Sequence, residues 1–146
     1  MPSPLLDIIR LDEFDFDHHT DWHGVDHAIN VVNYVRSLGS SAGADEQLIR
    51  TVECAGLIHD MARQHDRECE DHGRWAVESK LPVWRKTFLD YGLSDDDFPA
   101  LAFAVTYHCR HDAPTNSPYL PYLILLKKAD AEDLRRFPWY DGSYPG

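Results

Sequence analysis

Apolar residues recur at intervals of three and four along most of this chain, the spacing that places side chains on one face of an α-helix. Between Trp22 and Leu38 the stripe consists of Val25, Ala28, Ile29, Val32 and Val35. We expect this helix to stop at Gly39, because glycine often follows the last residue of a helix. No segment shows the strict alternation of a strand, so the pattern predicts an all-α protein of about six helices.

A second apolar stripe ends in a histidine. Leu48, Val52, Ala55 and His59 are separated by four, three and four residues, which puts the imidazole on the face predicted to be buried. Asp60 follows at once. Burying an imidazole and a carboxylate costs free energy unless both find partners, so we expect other polar groups to converge on this pair.

The remaining four helices are predicted at Asp71 to Lys80, Trp84 to Tyr91, Ser94 to Cys109 and Tyr119 to Arg135. Pro82 separates the first two and Gly92 ends the second. Ser94 is a residue type that favours the start of a helix. These helices should pack, together with the two described above, into a compact bundle.

Polar residues also lie on the faces of these helices that are predicted to be buried. His108 continues the stripe of Phe98, Leu101 and Val105, while Lys127 and Asp130 fall in register with Leu120, Leu123, Ile124 and Leu134. His23 and His27 are four residues apart, so they should lie one turn from each other on one helix face. The core is therefore expected to contain several ionisable groups.

The chain is expected to form one domain. Its 146 residues suffice to bury about two-thirds of the unfolded surface in a single core. We assign residues 1–21 to an N-terminal arm, residues 22–136 to the helical core, and residues 137–146 to an aromatic tail without periodicity.

The charge balance changes which partners are expected. The 14 Lys and Arg residues are outnumbered by 25 Asp and Glu residues, which gives a net charge of -11. Such a surface repels a phosphate backbone and an anionic membrane alike, so neither a long nucleic acid nor a membrane is expected as a partner. A phosphate-bearing substrate should be small or held by a local positive charge such as a metal.

Neither a signal peptide nor a membrane span is predicted. The residues from Met1 to Asp7 lack a basic flank and a long apolar region, and nowhere do about 18 apolar residues run together. Cys54, Cys69 and Cys109 are odd in number and show no C-x-x-C spacing, so neither a disulfide framework nor a zinc ribbon is indicated. We therefore expect a protein of the reducing cytoplasm.

Histidine is the most informative residue type, because it is the commonest metal ligand. The candidate ligands lie at five places on different predicted helices, and they are His27, the pair His59 and Asp60, His72, His108 and Asp130. A divalent metal would satisfy all of them, and mixed nitrogen and oxygen ligands suit Mn, Fe, Zn, Co or Ni better than an all-oxygen calcium site. Two alternatives stay open: His72 lies on a partly exposed helix and caps a loop, and His108 is an ordinary core histidine.

Four blocks in this order resemble the HD-domain superfamily of metal-dependent phosphohydrolases. The blocks are His23-Gly24-Val25-Asp26-His27, Ala55-Gly56-Leu57-Ile58-His59-Asp60-Met61-Ala62-Arg63, Glu70-Asp71-His72-Gly73 and Lys128-Ala129-Asp130-Ala131-Glu132-Asp133. The resemblance spans roughly residues 22 to 136. It implies that His27, His59, Asp60 and Asp130 bind one metal and that Asp60 bridges to a second, completed by His72 and His108 with His111 in reserve.

The resemblance also implies a reaction, the hydrolysis of a small phosphate ester or nucleotide. One or two divalent ions (Mn, Fe, Ni, Co or Zn, with Mg possible) would lower the pKa of a bound water and neutralise the phosphoryl oxygens. We expect Asp60 and His23 to be catalytic, with His23 giving a proton to the leaving group or ordering Asp26. Arg63 and Lys127 should hold the other phosphate oxygens, unless they are only ion-pair partners of nearby acids.

Two other functions fit the same motifs. Some HD-domain proteins hold two irons and activate O₂, so a di-iron oxygenase is one alternative; a metal- or nucleotide-sensing module without turnover is the other. Asn30 stands where the family usually has arginine, which removes a positive charge and indicates a different substrate. Members of the family often continue with further helix after the position of Asp133, and that helix forms one wall of the pocket. A homo-oligomer in which another subunit supplies this wall is therefore a further alternative.

Overall fold

The computed structural model describes residues 2–146, and within them it contains seven α-helices and no β-strand. The helices are α1 (Leu5–Ile8), α2 (Val25–Ser41), α3 (Glu46–Ile58), α4 (His72–Ser79), α5 (Leu81–Asp90), α6 (Phe98–Tyr107) and α7 (Leu120–Leu134). Short 3-10 turns span Glu13–Asp15 and Asp95–Asp97. The predicted all-α class is confirmed, and the additional helix is the single turn of α1 in the N-terminal arm.

The core lies where four of the long helices meet. Helix α2 packs against α3 and α7, and α6 packs against α3, α4 and α7. Val32, Leu57, Leu101 and Leu126, one from each of α2, α3, α6 and α7, are fully buried there. Within residues 2–146, the helices lack the combination of length and apolar character needed to cross a bilayer.

The prediction that Gly39 stops α2 is wrong. The helix continues to Ser41, and the chain turns at Gly43, which has a φ of 69°. A Cβ built on Gly39 would lie 2.7 Å from Ile49 Cγ1, so the missing side chain lets α2 and α3 approach each other closely. This glycine serves packing between helices.

The boundaries of α5 and α6 also differ from the predicted ones. Helix α5 begins at Leu81 with Pro82 in its first turn, because proline is tolerated where no intrahelical donor is needed. The carboxylates of Asp95–Asp97 precede α6 in a 3-10 turn, which Ser94 and Asp97 close with reciprocal capping bonds. Gly92, with a φ of 112°, ends α5 as predicted.

Ile124 points away from the core, contrary to prediction. It is 44% exposed, whereas Leu123 and Leu126 are buried. Helix α7 buries the face that carries Leu123, Leu126, Asp130 and Asp133, and a residue one position after Leu123 lies about 100° around the helix. The rotation leaves Asp130 inward and Lys127 half-buried.

A buried ion pair links the N-terminal arm to the bundle. Arg36 Nη2 donates to Glu53 Oε1 over 2.7 Å, and the hydroxyl of Tyr91 donates to the same oxygen over 2.7 Å. The Ser3 hydroxyl donates to the other oxygen of Glu53. Since Glu53 is fully buried, these donors replace the water that its carboxylate loses on folding.

Candidate metal centre

Most of the candidate ligands lie at helix ends that meet on one side of the core. His27 is the third residue of α2 and His72 is the first of α4. His59 and His108 directly follow the last residues of α3 and α6. These four histidines therefore meet where four helices begin or end.

The first group of ligand atoms comes from His27, His59, Asp60 and Asp130, and one ligand atom from each lies within 4.8 Å of the others. The Nε2 atoms of His27 and His59 are 3.3 Å apart. Asp60 Oδ2 lies 3.3 Å from each of them, and Asp130 Oδ1 lies 2.9 Å from His27 Nε2 and 3.5 Å from His59 Nε2. All four residues are buried.

The second group uses the other oxygen of Asp60. Asp60 Oδ1 lies 3.1 Å from His72 Nε2 and 3.5 Å from His108 Nε2, and these two nitrogens are 3.0 Å apart. The thiol of Cys109 is close enough to His72 and His108 to join this group. Asp60 therefore lies between two histidine pairs, with one carboxylate oxygen facing each pair.

Hydrogen bonds on the far side of each ring determine where its proton lies. The Nδ1 atoms donate as follows: His27 to Asp133 Oδ2 (2.7 Å), His59 to Gly56 O (2.6 Å), His72 to Cys69 O (2.9 Å) and His108 to Val105 O (2.6 Å). Carbonyl and carboxylate oxygens only accept, so each Nδ1 carries a hydrogen and each neutral ring presents an Nε2 lone pair to the centre. Such outer hydrogen bonds are typical of metal-binding histidines.

Three of these bonds follow one local rule. The histidine donates to the carbonyl three residues before it, as His59 does to Gly56 and His108 does to Val105. The last four carbonyls of a helix lack intrahelical donors, so a histidine just past a helix end can use one of them. The ends of α3 and α6 therefore orient their own ligands.

The lone pairs at the centre need a positive charge between them. Two unprotonated Nε2 atoms at 3.0 or 3.3 Å repel each other, and a hydrogen bond between them requires that one ring be protonated. Asp130 Oδ1 is buried without a hydrogen-bond donor. A cation shared by these atoms would satisfy the nitrogens and the oxygen together, so the residues present fit a metal ion.

In this cluster, the carboxylates and the histidines shift each other's pKa values. Burial lowers the pKa of His59, but Asp60 and Asp130 outweigh it and raise that pKa to about 9. Burial lowers the pKa of His72 to about 3, so this ring is neutral and ready to bind a metal. Burial raises the pKa of Asp60, but the positive charges around it, His59 first, bring it well below its usual range.

His23 lies just before α2 and not within it, contrary to the predicted helix position. Its Nδ1 is 3.0 Å from Asp60 Oδ2, and its Nε2 is 3.2 Å from the hydroxyl of Tyr144. Asp26, the carboxylate that His23 was expected to order, is exposed. The partner of His23 is the bridging aspartate, with which the ring is fully buried.

Of the two predicted substrate-binding cations, Arg63 contacts Asp60 at the centre, whereas Lys127 is directed to the Arg110 carbonyl. Arg63 Nε donates to Asp60 Oδ1 over 3.1 Å. Lys127 Nζ donates to the carbonyl of Arg110 over 2.6 Å, and burial lowers its pKa. His111, the reserve ligand, has a 68% exposed side chain and lies outside both groups.

Asp133 and Tyr144 are the neighbours of this centre to which sequence reasoning gave no role. Asp133 lies one turn after Asp130 on the buried face of α7, and this spacing was the available signal. Its second oxygen accepts from the Asn30 amide over 2.9 Å. Asn30 thus holds the carboxylate that binds the outer nitrogen of His27. Tyr144 lies in an aperiodic tail and gave no signal.

No family model, no curated protein and no solved structure matches this chain. Its function must therefore be argued from the centre itself.

Proposed function

We propose that this chain is a metal-dependent phosphohydrolase of the HD-domain superfamily, acting on a small phosphate ester or nucleotide. The observation that carries the proposal is Asp60, a buried carboxylate with one oxygen facing each of two histidine pairs. A carboxylate in this position would be shared by two metal ions, one beside each histidine pair. Phosphoryl transfer to water is a reaction that paired divalent ions catalyse.

The chain offers a complete set of ligands for such ions. His27, His59, Asp60 and Asp130 would hold one ion, and His72, His108 and Asp60 would hold the second. Imidazole and carboxylate ligands suit Mn, Fe, Ni, Co or Zn. Mg would bind through fewer of the nitrogens, because it prefers oxygen ligands. Bound ions would supply a water of lowered pKa and neutralise the phosphoryl oxygens.

The other residues of the centre have separate tasks. His23 donates its Nδ1 hydrogen to Asp60, and its Nε2, which here faces the Tyr144 hydroxyl, would exchange a proton with the reacting groups. Arg63 holds Asp60 through Nε, and its Nη2 would bind an anionic substrate oxygen in place of the Tyr144 hydroxyl and the Gly146 carbonyl that it contacts here. Lys127 is the second cation for the substrate, reached once it leaves the Arg110 carbonyl.

The net charge bears on the substrate, and the cysteines bear on the compartment. A net charge of -11 disfavours polyanions, so the substrate is small. Cys54, Cys69 and Cys109 are free thiols, which suits a reducing cytoplasm.

The test is elemental analysis of protein purified without added metal, run beside phosphatase and phosphodiesterase panels with Mn, Ni, Co and Mg. We expect bound transition metal and phosphate release. Asp60→Ala should lose both while keeping its helical circular dichroism, and Asp26→Ala, which removes an exposed carboxylate next to His27, should keep both.

Other outcomes would replace the proposal. Two bound irons with oxygen uptake would identify an oxygenase, and tight nucleotide binding without phosphate release under any of these metals would identify a sensor. Full metal content and activity in Asp60→Ala would show that this centre neither binds the metal nor catalyses the reaction.

A further inference from the structure

The segment Trp139 to Gly146, here called the cover segment, lies against the centre. Gly146 is buried, and a Cβ built on it would lie 2.5 Å from Asp130 Oδ2 and 2.9 Å from the carbonyl of His108. Only a residue without a side chain fits at this distance from two candidate ligands. The backbone of the cover segment therefore occupies space beside the centre that a substrate would need.

The same segment binds the inner side of Arg63. Arg63 Nη2 donates to Gly146 O over 2.7 Å and to the hydroxyl of Tyr144. The other nitrogens of this guanidinium bond to fixed parts of the protein, Nε to Asp60 and Nη1 to the carbonyl of Arg67 over 2.8 Å. Nη2 is thus the part of Arg63 that becomes available when the cover segment moves.

Tyr144 also covers His23. The two rings stack with their centroids 5.8 Å apart and 28° between their planes, and the tyrosine hydroxyl lies 3.2 Å from His23 Nε2. The cover segment therefore contacts two of the residues to which we assign direct work on the substrate, Arg63 and His23.

The centre is closed in this conformation. The four histidines are 0% exposed, and Asp60 and Asp130 are 2% and 3% exposed, so no solute can reach them. The cover segment contains no helix, and Asp141 to Ser143 are solvent-exposed at a turn where Gly142 has a φ of 91°. Segments with few buried contacts open locally at low free-energy cost.

We propose that the cover segment is a lid. In the closed state, the Tyr144 hydroxyl and the Gly146 carbonyl occupy the place on Arg63 Nη2 where an anionic group of the substrate binds. Two oxygen acceptors on one guanidinium imitate the way a phosphate binds arginine. Opening the lid exposes Nη2, His23 Nε2 and the ligand atoms together. That the anionic group is a phosphate rests on the proposed function; the lid itself rests on the contacts above.

The test measures the affinity of the full-length, metal-loaded protein for inorganic phosphate by calorimetry. Tyr144→Phe removes one lid contact to Arg63, and Gly146→Ala forces the backbone away from Asp130. Since the phosphate no longer competes with the full set of lid contacts, we expect about tenfold tighter binding in each variant. Tyr140→Phe is the matched control, because Tyr140 lies in the same segment but contacts neither Arg63 nor His23; its affinity should equal that of the unmodified chain.

A second readout is independent of phosphate and of turnover. The rate at which EDTA removes Mn from the loaded protein should rise several-fold in Tyr144→Phe and Gly146→Ala but not in Tyr140→Phe. Arg63→Gln combined with Tyr144→Phe should lose the gain in phosphate affinity, since it removes the guanidinium that the lid uncovers.

The two proposals fail separately. Unchanged phosphate affinity and unchanged EDTA rates in folded Tyr144→Phe and Gly146→Ala would overturn the lid, whatever the protein hydrolyses. Faster extraction and tighter phosphate binding without hydrolysis of any phosphate ester would support the lid and remove the proposed function.

Discussion

At the scale of single residues, the centre depends on groups that do not face it. Asp133 binds the outer nitrogen of His27 and is itself held by Asn30 and by Arg136, whose Nε donates to Asp133 Oδ1 over 2.9 Å. This arrangement fixes the tautomer and the orientation of His27 before any ion arrives. It also brings negative charge close to a candidate ligand, which would make the imidazole a stronger donor to a metal.

Asp133→Asn should therefore lower metal affinity about 10- to 100-fold while the fold persists, because the amide no longer brings negative charge to the His27 ring. Calorimetric titration of the metal-free protein with Mn or Zn measures the affinity. Asp26→Asn, at an exposed carboxylate next to His27, is the control and should bind as the unmodified chain does. Equal affinities in both variants would show that Asp133 does not support the ligand.

The buried Glu53 gives a prediction about stability. Glu53→Ala leaves the guanidinium of Arg36, whose side chain is only 7% exposed, without its buried partner, and should lower the free energy of unfolding by about 3–5 kcal/mol. Glu46→Ala removes the other carboxylate that Arg36 contacts, which is 54% exposed, and should cost at most about 1 kcal/mol. Urea unfolding of both variants measures the difference, and similar losses would contradict this account.

At the scale of helices, the position of His72 depends on how closely α4 approaches α6. A Cβ built on Gly73 would lie 2.1 Å from the carbonyl oxygen of Val105 and 2.9 Å from that of Thr106. These are backbone atoms of a packed helix, so they cannot move aside as a side chain end can. The carbonyl of Val105 also accepts the Nδ1 hydrogen of His108, so this contact lies next to two candidate ligands.

Gly73→Ala should force α4 away from α6, lower the free energy of unfolding by about 3 kcal/mol and weaken binding of the second ion. Arg74→Ala, at the next and exposed position of α4, is the control, and its stability should stay within about 0.5 kcal/mol of the unmodified chain. Chemical denaturation and metal stoichiometry give the two readouts. A Gly73→Ala protein with unchanged stability and two bound ions would refute the close contact.

At the scale of the whole molecule, the centre joins segments that are distant in sequence. His27 and Asp130 come from α2 and α7, whereas His72 begins α4 and His108 follows α6, so one ion in each group would together crosslink most of the bundle. An ion that binds only the folded state stabilises it by an amount that grows with the logarithm of the free ion concentration relative to Kd.

Removing the metal with EDTA should therefore lower Tm. With free metal at about 100 times Kd the ion contributes about 2.7 kcal/mol, which corresponds to roughly 5–10 °C for a chain of this size. Differential scanning calorimetry with and without EDTA measures the shift. Asp60→Ala should show no EDTA-dependent shift, and a shift of equal size in that variant would place the ion elsewhere.

Much of the architecture and the inward-facing polar groups could be predicted because helical periodicity is a local property of sequence. His59, His108 and Asp130 lie on buried faces as their spacing to Val52, Val105 and Leu123 indicates. The all-α class follows from the same repeats. The family resemblance, which rests on the motifs alone, stays a proposal.

Other features could not be predicted from the sequence, because they depend on contacts between helices and not on spacing within one helix. Gly39 is a helix stop by local rules, yet Ile49 on a different helix explains it. Ile124 belongs to the apolar stripe, yet the rotation of α7 against its neighbours exposes it. Both are settled by contacts between helices, which spacing along one helix does not contain.

The sequence by itself determined the helical class, the approximate helices and the histidines and aspartates that point into the core, because each depends on neighbours three or four residues away. Only the tertiary structure decided that Asp60 lies between two histidine pairs, that Asp133 supports His27, and that Tyr144 and Gly146 lie over Arg63. These relations join residues up to 106 positions apart, and the packing of whole helices sets such distances.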